Sequence, residues 1–496
     1  MKSGAMSPMR IAMGPPPQGW QCAGHSPARR NDNPTRRSVR DTLIPMSKPG
    51  AGNGLQRRMG LLGATSTNII GMVGIGPFLT IPLMVYAMGG PHIIWAWLVG
   101  ALLSLADGLV YAQLGAALPG SGGPYIYLRE AFRPFGLGRL IAFLFLFHIL
   151  LVAPLSLAGG AVGFADYLGF YLPELTGLPH HLAAAGVCVL VLFLLYRNID
   201  SVERLSKAML ALVLATTGWV IVAGLIESPG LPSFMPPYGF DASFWPALGA
   251  ASVIAMYSFG GYNQVCNIAG EVKDPERNVP RSILLSIVVV AAIYIAMTTV
   301  MLELIPWQEA EASRTLASIF IARTVEDPGL AQLAGSVITA LILFVAVASV
   351  FAFALGYSRM PYAAARDGQF FAIFGKVHPT RGFPHVSLVW LIAASIPFCF
   401  FSLGELINWL MQVQILLRFA WQCVAVLLIA RYRPDIPQPF RMWLYPIPAL
   451  LSLALWIALF FTGPPTGVWF SLGFLGLGLI AYWVFRRNQR GAAPSN

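Results

Sequence analysis

The sequence predicts an all-α integral membrane protein of twelve transmembrane helices, and three observations predict it. First, 56% of the 496 residues are hydrophobic and only 11% are charged, too apolar a composition for a globule that must face water. Second, apolar runs suited to a hydrocarbon core about 30 Å thick recur along the chain. They occupy residues 61–86, 93–116, 140–170, 182–196, 209–225, 244–269, 283–304, 333–359, 386–401, 406–430, 443–461 and 468–485. Third, the basic residues near the run ends fall on alternate loops. Lys48, Arg57 and Arg58 precede the first run. Arg129, Arg133 and Arg139, then Arg197, Arg204 and Lys207, then Lys273, Arg277 and Arg281 follow on every second loop. The pattern continues through Arg359, Arg366, Lys376 and Arg381, through Arg431, Arg433 and Arg441, and through Arg486, Arg487 and Arg490. The loops between hold only Arg314 and Arg323. By the positive-inside rule this alternation puts both termini in the cytoplasm, with the cell membrane as the expected location. It also accounts for the net charge of +11 without a nucleic-acid partner, the lipid bilayer taking that place.

Taken in order, residues 1–58 are rich in Pro, Gly, Arg and Ser without an apolar run of signal-peptide length, and read as a disordered cytoplasmic tail. The first run carries Gly71, Gly74 and Gly76, then Pro77. Proline lacks an N–H and is pre-set for the first turn of a helix, so Gly-Ile-Gly-Pro reads as the end of one half-helix and the start of another. After the second run, residues 119–134 (PGSGGPYIYLREAFRP) read as a glycine-rich turn and a short amphipathic piece along the inner face. GSGG lacks the Gly-Lys-Ser/Thr that would make it a phosphate loop. The third and eighth runs are longer than a perpendicular span needs, which implies tilt; the fourth and ninth are short. Between runs seven and eight, Ala312, Leu316, Ile319 and Phe320 share one helical face, which predicts a short outer helix resting on the membrane surface.

The sixth run is the one the others serve. In YSFGGYNQVCNIAGEVKDPERNVP, residues 257–280, an apolar stretch breaks at Gly260-Gly261, resumes, and ends in a charged loop. Two glycines inside hydrocarbon release backbone N–H and C=O groups that lipid cannot satisfy, so such a break is tolerated only beside a cavity or buried protein. A pair of glycines that merely lets helices touch is the alternative. The first and sixth runs are both interrupted and lie five apart, the pattern of an inverted repeat whose unwound segments hold a small ligand.

Several blocks together resemble the amino acid–polyamine–organocation (APC) family of transporters. They are the glycine-rich break in the first run with GGPHI after it; AQLGAALPGSGGPYIYLREAF; FGGYN followed by GEVKDPERNVPRSI; and, from Gly356, GYSRMPYAAARDGQFFAIFGKVHPTRGFPHVSL. The resemblance runs from about Leu61 to Phe440, with the blocks in the family's order. It implies a LeuT-like five-plus-five inverted repeat with broken helices one and six: a ten-helix transport core over residues 59–430, two additional helices over 431–486, and a cytoplasmic tail over 487–496. It further implies an amino acid permease working by alternating access, with a substrate site between helices one, three, six and eight. Carried over residue by residue, Gly74, Ile75 and Gly76 face the substrate carboxylate. Tyr257, Ser258, Phe259 and Gly260 face its amine, with Tyr257 as the aromatic that closes over the ligand. Two positions depart from the family pattern. The chain reads GIGPF where many relatives read GSGIF, and Gln113 stands where relatives commonly carry the glutamate of YAELG.

Asp107, His148 and Arg418 lie deep inside predicted helices, where ionisable groups are expensive and are either paired or functional. Asp107 and His148 are therefore candidates for proton coupling, and Arg418 a candidate counter-charge for Asp107. A polyamine would need several carboxylates around helices one, three, six and eight, and none lies mid-helix there. A small-molecule substrate that is a neutral amino acid is expected, with cationic amino acids or polyamines as the alternative. In its second half helix eight offers Ser349 alone as a serine or threonine before Ser358 at its end, so proton coupling or exchange is expected over sodium. Cys188, Cys266, Cys399 and Cys423 show no metal-ligand spacing and read as packing residues, so neither metal nor cofactor is expected. The absence of HExxH, GxSxG or a paired intramembrane carboxylate argues against an enzyme.

Overall fold

The computed structural model describes residues 57, 59–120, 123–196, 199–227, 230, 235–236, 239–379 and 383–491, with the side chains of 199–210 and 488–491 left aside. The predicted tail therefore lies outside the described residues apart from Arg57. The described chain is helical. Its elements are α1 (Leu61–Met72), α2 (Gly76–Met88), α3 (Ile94–Ala117), α4 (Pro124–Ala131), α5 (Gly138–Leu168), α6 (Leu178–Leu195), α7 (Ile199–Glu227), α8 (Phe244–Phe259), α9 (Gln264–Asn267) and α10 (Pro275–Leu304). There follow α11 (Trp307–Ala312), α12 (Leu316–Arg323), α13 (Pro328–Tyr357), α14 (Arg359–Arg366), α15 (His385–Ser395), α16 (Leu403–Gln414), α17 (Ala420–Tyr432), α18 (Ile447–Thr462) and α19 (Pro465–Gly491). A single π-helical turn, Ile415–Phe419, joins α16 to α17.

Every predicted apolar run falls on helix. Among the described residues seven helices are long and apolar enough to cross a membrane unaided, and α1 and α2, bent by 48°, qualify together as an eighth. Shorter apolar helices cover Ala211–Glu227, Phe244–Phe259, His385–Phe400 and Ile447–Thr462. The chain is thus a multi-pass membrane protein.

The layers around the centre follow from which helices bury most. α5 is the most enclosed, buried almost throughout from Ile141 to Ala165, and α13 packs along it. α10 packs along α1 and α3, and α8 along α2 and α3. α19 lies at the rim, with Trp469, Leu477, Ile480 and Trp483 exposed, the apolar exposure expected of a helix facing lipid.

One local reading changes and two gain detail. The loop predicted to hold one outer helix holds two, α11 and α12, and α12 packs against α13 rather than lying free on a surface. Leu316 and Phe320 are buried there, and Ser318 bonds Thr339 of α13 at 2.7 Å. The amphipathic piece α4 is wedged between α5 and α17, with Pro124, Tyr125, Tyr127 and Leu128 buried and the Pro124 carbonyl accepting from Gln422 at 3.0 Å. Its one outward acid, Glu130, meets Arg433 at 2.9 Å. Arg433 also holds the exposed Asp435 carboxyl below its usual range by a 2.7 Å bond. Finally, Gln113 tethers the loop before α18: it donates to Gln438 at 2.7 Å and accepts from the Met442 N–H at 3.0 Å.

Candidate functional site

The first discontinuity forms where the glycines predict it. Gly71 and Gly74 weaken the helix, Val73 leaves it at φ −84°, ψ 94°, and Pro77 at the start of α2 opens the next. The second follows Phe259. Gly260 turns out at φ −57°, ψ 120°, and Gly261 takes φ +129°, a conformation that side chains with a Cβ rarely adopt. What resumes is not a long half-helix but the four residues of α9 and a 3₁₀ turn over Ala269–Glu271. Asn263, Asn267 and Gly270 are poor helix formers and explain the difference.

The two discontinuities are laced to each other, which satisfies the backbone groups each releases. Asn68 of α1 accepts from the Val265 N–H at 2.9 Å. Thr80 of α2 and Ser258 of α8 share a 2.9 Å hydrogen bond. The Tyr294 hydroxyl of α10 lies 2.9 Å from both the Met72 and the Ser258 carbonyl, so one O–H serves the ends of both half-helices. Backbone meets backbone as well: a Cβ on Gly261 would sit 2.4 Å from the Gly71 carbonyl carbon and oxygen.

Where the discontinuities face α13 they leave a cavity of about 220 Å³. Gly74, Ile75, Gly76, Tyr257, Ser258 and Gly260 line it. Phe259 does not: it is fully buried on the opposite side, edge-on to Trp97 at 6.0 Å and Tyr294 at 5.4 Å. The lining also includes Thr67, Gln264, Ser349 and Tyr357, which sequence reasoning did not assign to the ligand. Ser349 had a signal, being the sole serine or threonine in the second half of α13. Its Oγ accepts from the Ile75 N–H at 3.1 Å while donating to Val345 O at 3.0 Å, so α13 holds the unwound segment in place. α5 contributes a wall behind the lining. Gly159 leaves room for the Tyr257 hydroxyl, 3.2 Å from where a Cβ would stand, and Gly163 leaves room for Leu79 and, at 3.2 Å, for Ile75. None of the lining side chains is an acid or a base.

The intramembrane charges lie behind the second discontinuity rather than in the cavity. Asp107 is fully buried and accepts from Tyr262, from Trp456 Nε1 at 3.1 Å and from Cys423 Sγ at 3.5 Å. Arg418, on the π turn, donates to Asn263 at 2.9 Å, Gln414 at 3.1 Å and Tyr111 at 3.4 Å. The expected direct pairing of Arg418 with Asp107 is therefore replaced by neutral partners. Tyr262 and Asn263, adjacent in the break, take one charged group each. His148 is buried, its Nδ1 bonded to the Phe145 carbonyl within α5, and its Nε2 has no partner among the described residues. Among the described residues no cluster of side chains is arranged to hold a metal ion.

A multi-pass helical membrane protein whose interior cavity is built from two laced helix discontinuities belongs to the class of proteins that bind small solutes at mid-membrane. Residues 59–485 match the model of the amino acid permease family, and the chain belongs to that family, within the APC transporters. It is 27% identical to the branched-chain amino acid permease BcaP of Bacillus subtilis, over 92% of this chain and 97% of that protein. It is 25% identical to the methylthioribose transporter of the same organism, over 92% and 98%. To the large neutral amino acids transporter small subunit 2 of Oryctolagus cuniculus it is 27% identical, over 88% and 82%.

Proposed function

We propose that the chain is a secondary active permease that moves neutral amino acids with apolar side chains across the cell membrane by alternating access. The observation that carries this reading is the cavity at the junction of the two discontinuities, with Ile70, Met72, Ile75, Phe353 and Met360 in its lining and no charged side chain. A second ammonium would be left there without a counter-charge, which favours this substrate class over cationic amino acids and polyamines. The unwound backbone from Gly74 to Gly76 is the proposed carboxylate contact, and the end of α8 from Tyr257 to Gly260 the proposed amine contact. Phe259 acts in this reading through its packing on Trp97 and not by touching the ligand.

The proposed architecture is twelve spans: a ten-helix core over residues 59–430 in two inverted halves, then two added helices over 431–486. Its support is in the pairings. If span n corresponds to span n + 5, self-matching contacts should join one with six, two with seven and three with eight; α2 meets α8, α3 meets α10 and α5 meets α13. Exchanged contacts should come in pairs, and α1 with α10 is matched by α3 with α8, and α5 with α16 by α13 with α7. Cytoplasmic termini are supported by charge placement. Arg314 reaches Asp166 at 3.9 Å, near His180 at 3.0 Å, so the ends of the third and fourth spans share a side with the sparse outer loop.

Proton coupling through Asp107 is proposed because its carboxylate holds Tyr262, the residue that follows the second discontinuity. A change of charge there acts directly on the break. His148 is the other proposed coupling group, on the unpartnered Nε2.

Uptake of labelled leucine, arginine and putrescine into proteoliposomes, with and without an inward proton gradient, tests the reading. Leucine should be taken up, and accumulated only with the gradient. Uptake of arginine or putrescine in preference to leucine would replace the neutral-substrate reading with the cationic one. Tyr257 supplies a second test. Covering apolar area is worth about 2 kcal/mol per large side chain, so Tyr257→Ala should raise the apparent KM about tenfold or more while Tyr257→Phe changes it little. Equal damage from both substitutions would assign the role to the hydroxyl instead.

A further inference from the structure

A second cavity, of about 310 Å³, shares no lining residue with the first and is lined by Gly136, Arg139, Phe143, Gly368, Gln369, Tyr482, Phe485 and Arg486. Arg139 stands in the first turn of α5 and Arg486 near the end of α19, so two helix termini bring their guanidinium groups to one hollow. Among the described residues neither arginine is in an ion pair, whereas nearby Arg129, Arg133 and Arg433 share Glu130. Leaving two cations together without an anion is unfavourable, and the fold does so here while neutralising their neighbours. The adjacent Arg487 does not line the hollow and lies over the Trp483 ring at 5.6 Å.

The floor of the hollow is aromatic. Phe143 stacks on Phe485 at 5.2 Å and packs on Tyr482 at 5.3 Å. Two walls lack side chains, because Gly136 and Gly368 sit at φ +70° and +66°. A water's share of volume is about 30 Å³, so the hollow has room for a phosphate ester with water around it. Leu477, Ile480 and Trp483, exposed at 58%, 62% and 61% on α19, form an apolar stripe leading up to Arg486. That stripe is where an acyl chain would lie.

We propose that this hollow binds the phosphate headgroup of an anionic phospholipid, with Arg139 and Arg486 on the phosphate and the acyl chains along the exposed stripe of α19. A planar guanidinium binds phosphate oxygens through paired N–H donors, and basic hollows between helix ends are suited to anionic headgroups. The shared chemistry is phosphate, which a soluble anion also offers; the stripe favours the lipid.

The test is native mass spectrometry of the full chain in detergent, titrated with phosphatidylglycerol, with phosphatidylcholine or with inorganic phosphate. Wild type should retain phosphatidylglycerol over phosphatidylcholine. Arg486→Gln should weaken that retention about fivefold and Arg139→Gln/Arg486→Gln further, from the worth of one basic side chain at an anionic surface. Arg441→Gln, whose guanidinium lies over the Tyr445 ring at 4.6 Å, should leave it unchanged. Thermal unfolding in phosphatidylcholine reports whether the double variant is folded; if it is not, the single Arg486→Gln at the exposed helix end carries the comparison. Equal retention by wild type and Arg486→Gln would overturn the proposal. So would displacement of phosphatidylglycerol by millimolar inorganic phosphate, which would assign the hollow to a soluble anion.

Discussion

Gly261→Ala is expected to reduce uptake per folded molecule by more than about tenfold, and to do more harm than Gly260→Ala. Two independent penalties fall on Gly261. Its φ of +129° is hostile to any residue with a Cβ, a cost of about 1–3 kcal/mol, and the new methyl would stand 2.4 Å from the backbone of Gly71. That neighbour is main chain and cannot rotate away. Separating α1 from the second discontinuity would also pull Asn68 off the Val265 N–H and move Tyr294 off one of its two carbonyls. Gly260 is different. Its φ of −57° suits any residue, and a Cβ there meets carbonyls of its own helix, Tyr257 at 3.0 Å and Met256 at 3.9 Å, and nothing of α1. Uptake in proteoliposomes normalised to monodisperse protein separates the two variants. Wild-type uptake by Gly261→Ala at a normal folded yield would mean that the close approach of the breaks does not serve transport.

Asp107→Asn is expected to abolish gradient-driven accumulation while substrate exchange survives, and to lower folded stability by only about 1 kcal/mol, the cost of exchanging hydrogen bonds to a charged group for neutral ones. An ionised carboxylate only accepts hydrogen bonds, which suits the three donors around Asp107: the Tyr262 hydroxyl, the Trp456 indole and the Cys423 thiol. An amide can keep its carbonyl oxygen on the indole and the thiol and turn its N–H₂ to the Tyr262 hydroxyl, which accepts as well as donates. Adding Tyr262→Phe to Asp107→Asn should therefore lower stability further, because the amide N–H₂ then has no acceptor. Neutralising Arg418 should restore none of it, because its bonds go to Asn263, Gln414 and Tyr111. Accumulation that survives intact in Asp107→Asn would end the coupling proposal. A purely structural role predicts instead that exchange and accumulation fall together.

The sequence by itself determined which segments are helical, because a helix in lipid must satisfy its own backbone and must be apolar over its whole length, both of which are local and countable. It also determined where two helices stop. Gly74, Gly76 and Pro77, and Gly260 with Gly261, act through their own φ and missing N–H groups, and no distant contact is needed to predict the effect. What lay beyond reach was every relation across space. Gly260 and Gly261 are chemically identical in the sequence, and only the folded chain, through the φ of +129° at Gly261 and the closeness of Gly71, makes the second the intolerant one. Phe259 lies between Ser258 and Gly260, which both line the cavity, yet the helical turn points its ring at Trp97 instead. Asp107 and Arg418 are 311 positions apart (418 − 107) and invited pairing as the deepest opposite charges. The tertiary structure gave each a hydrogen-bonded partner from consecutive residues of the break, Tyr262 and Asn263. Helix formation and helix termination are set by neighbours in the chain. Which face a side chain presents, and to what, is set by how helices far apart in sequence pack.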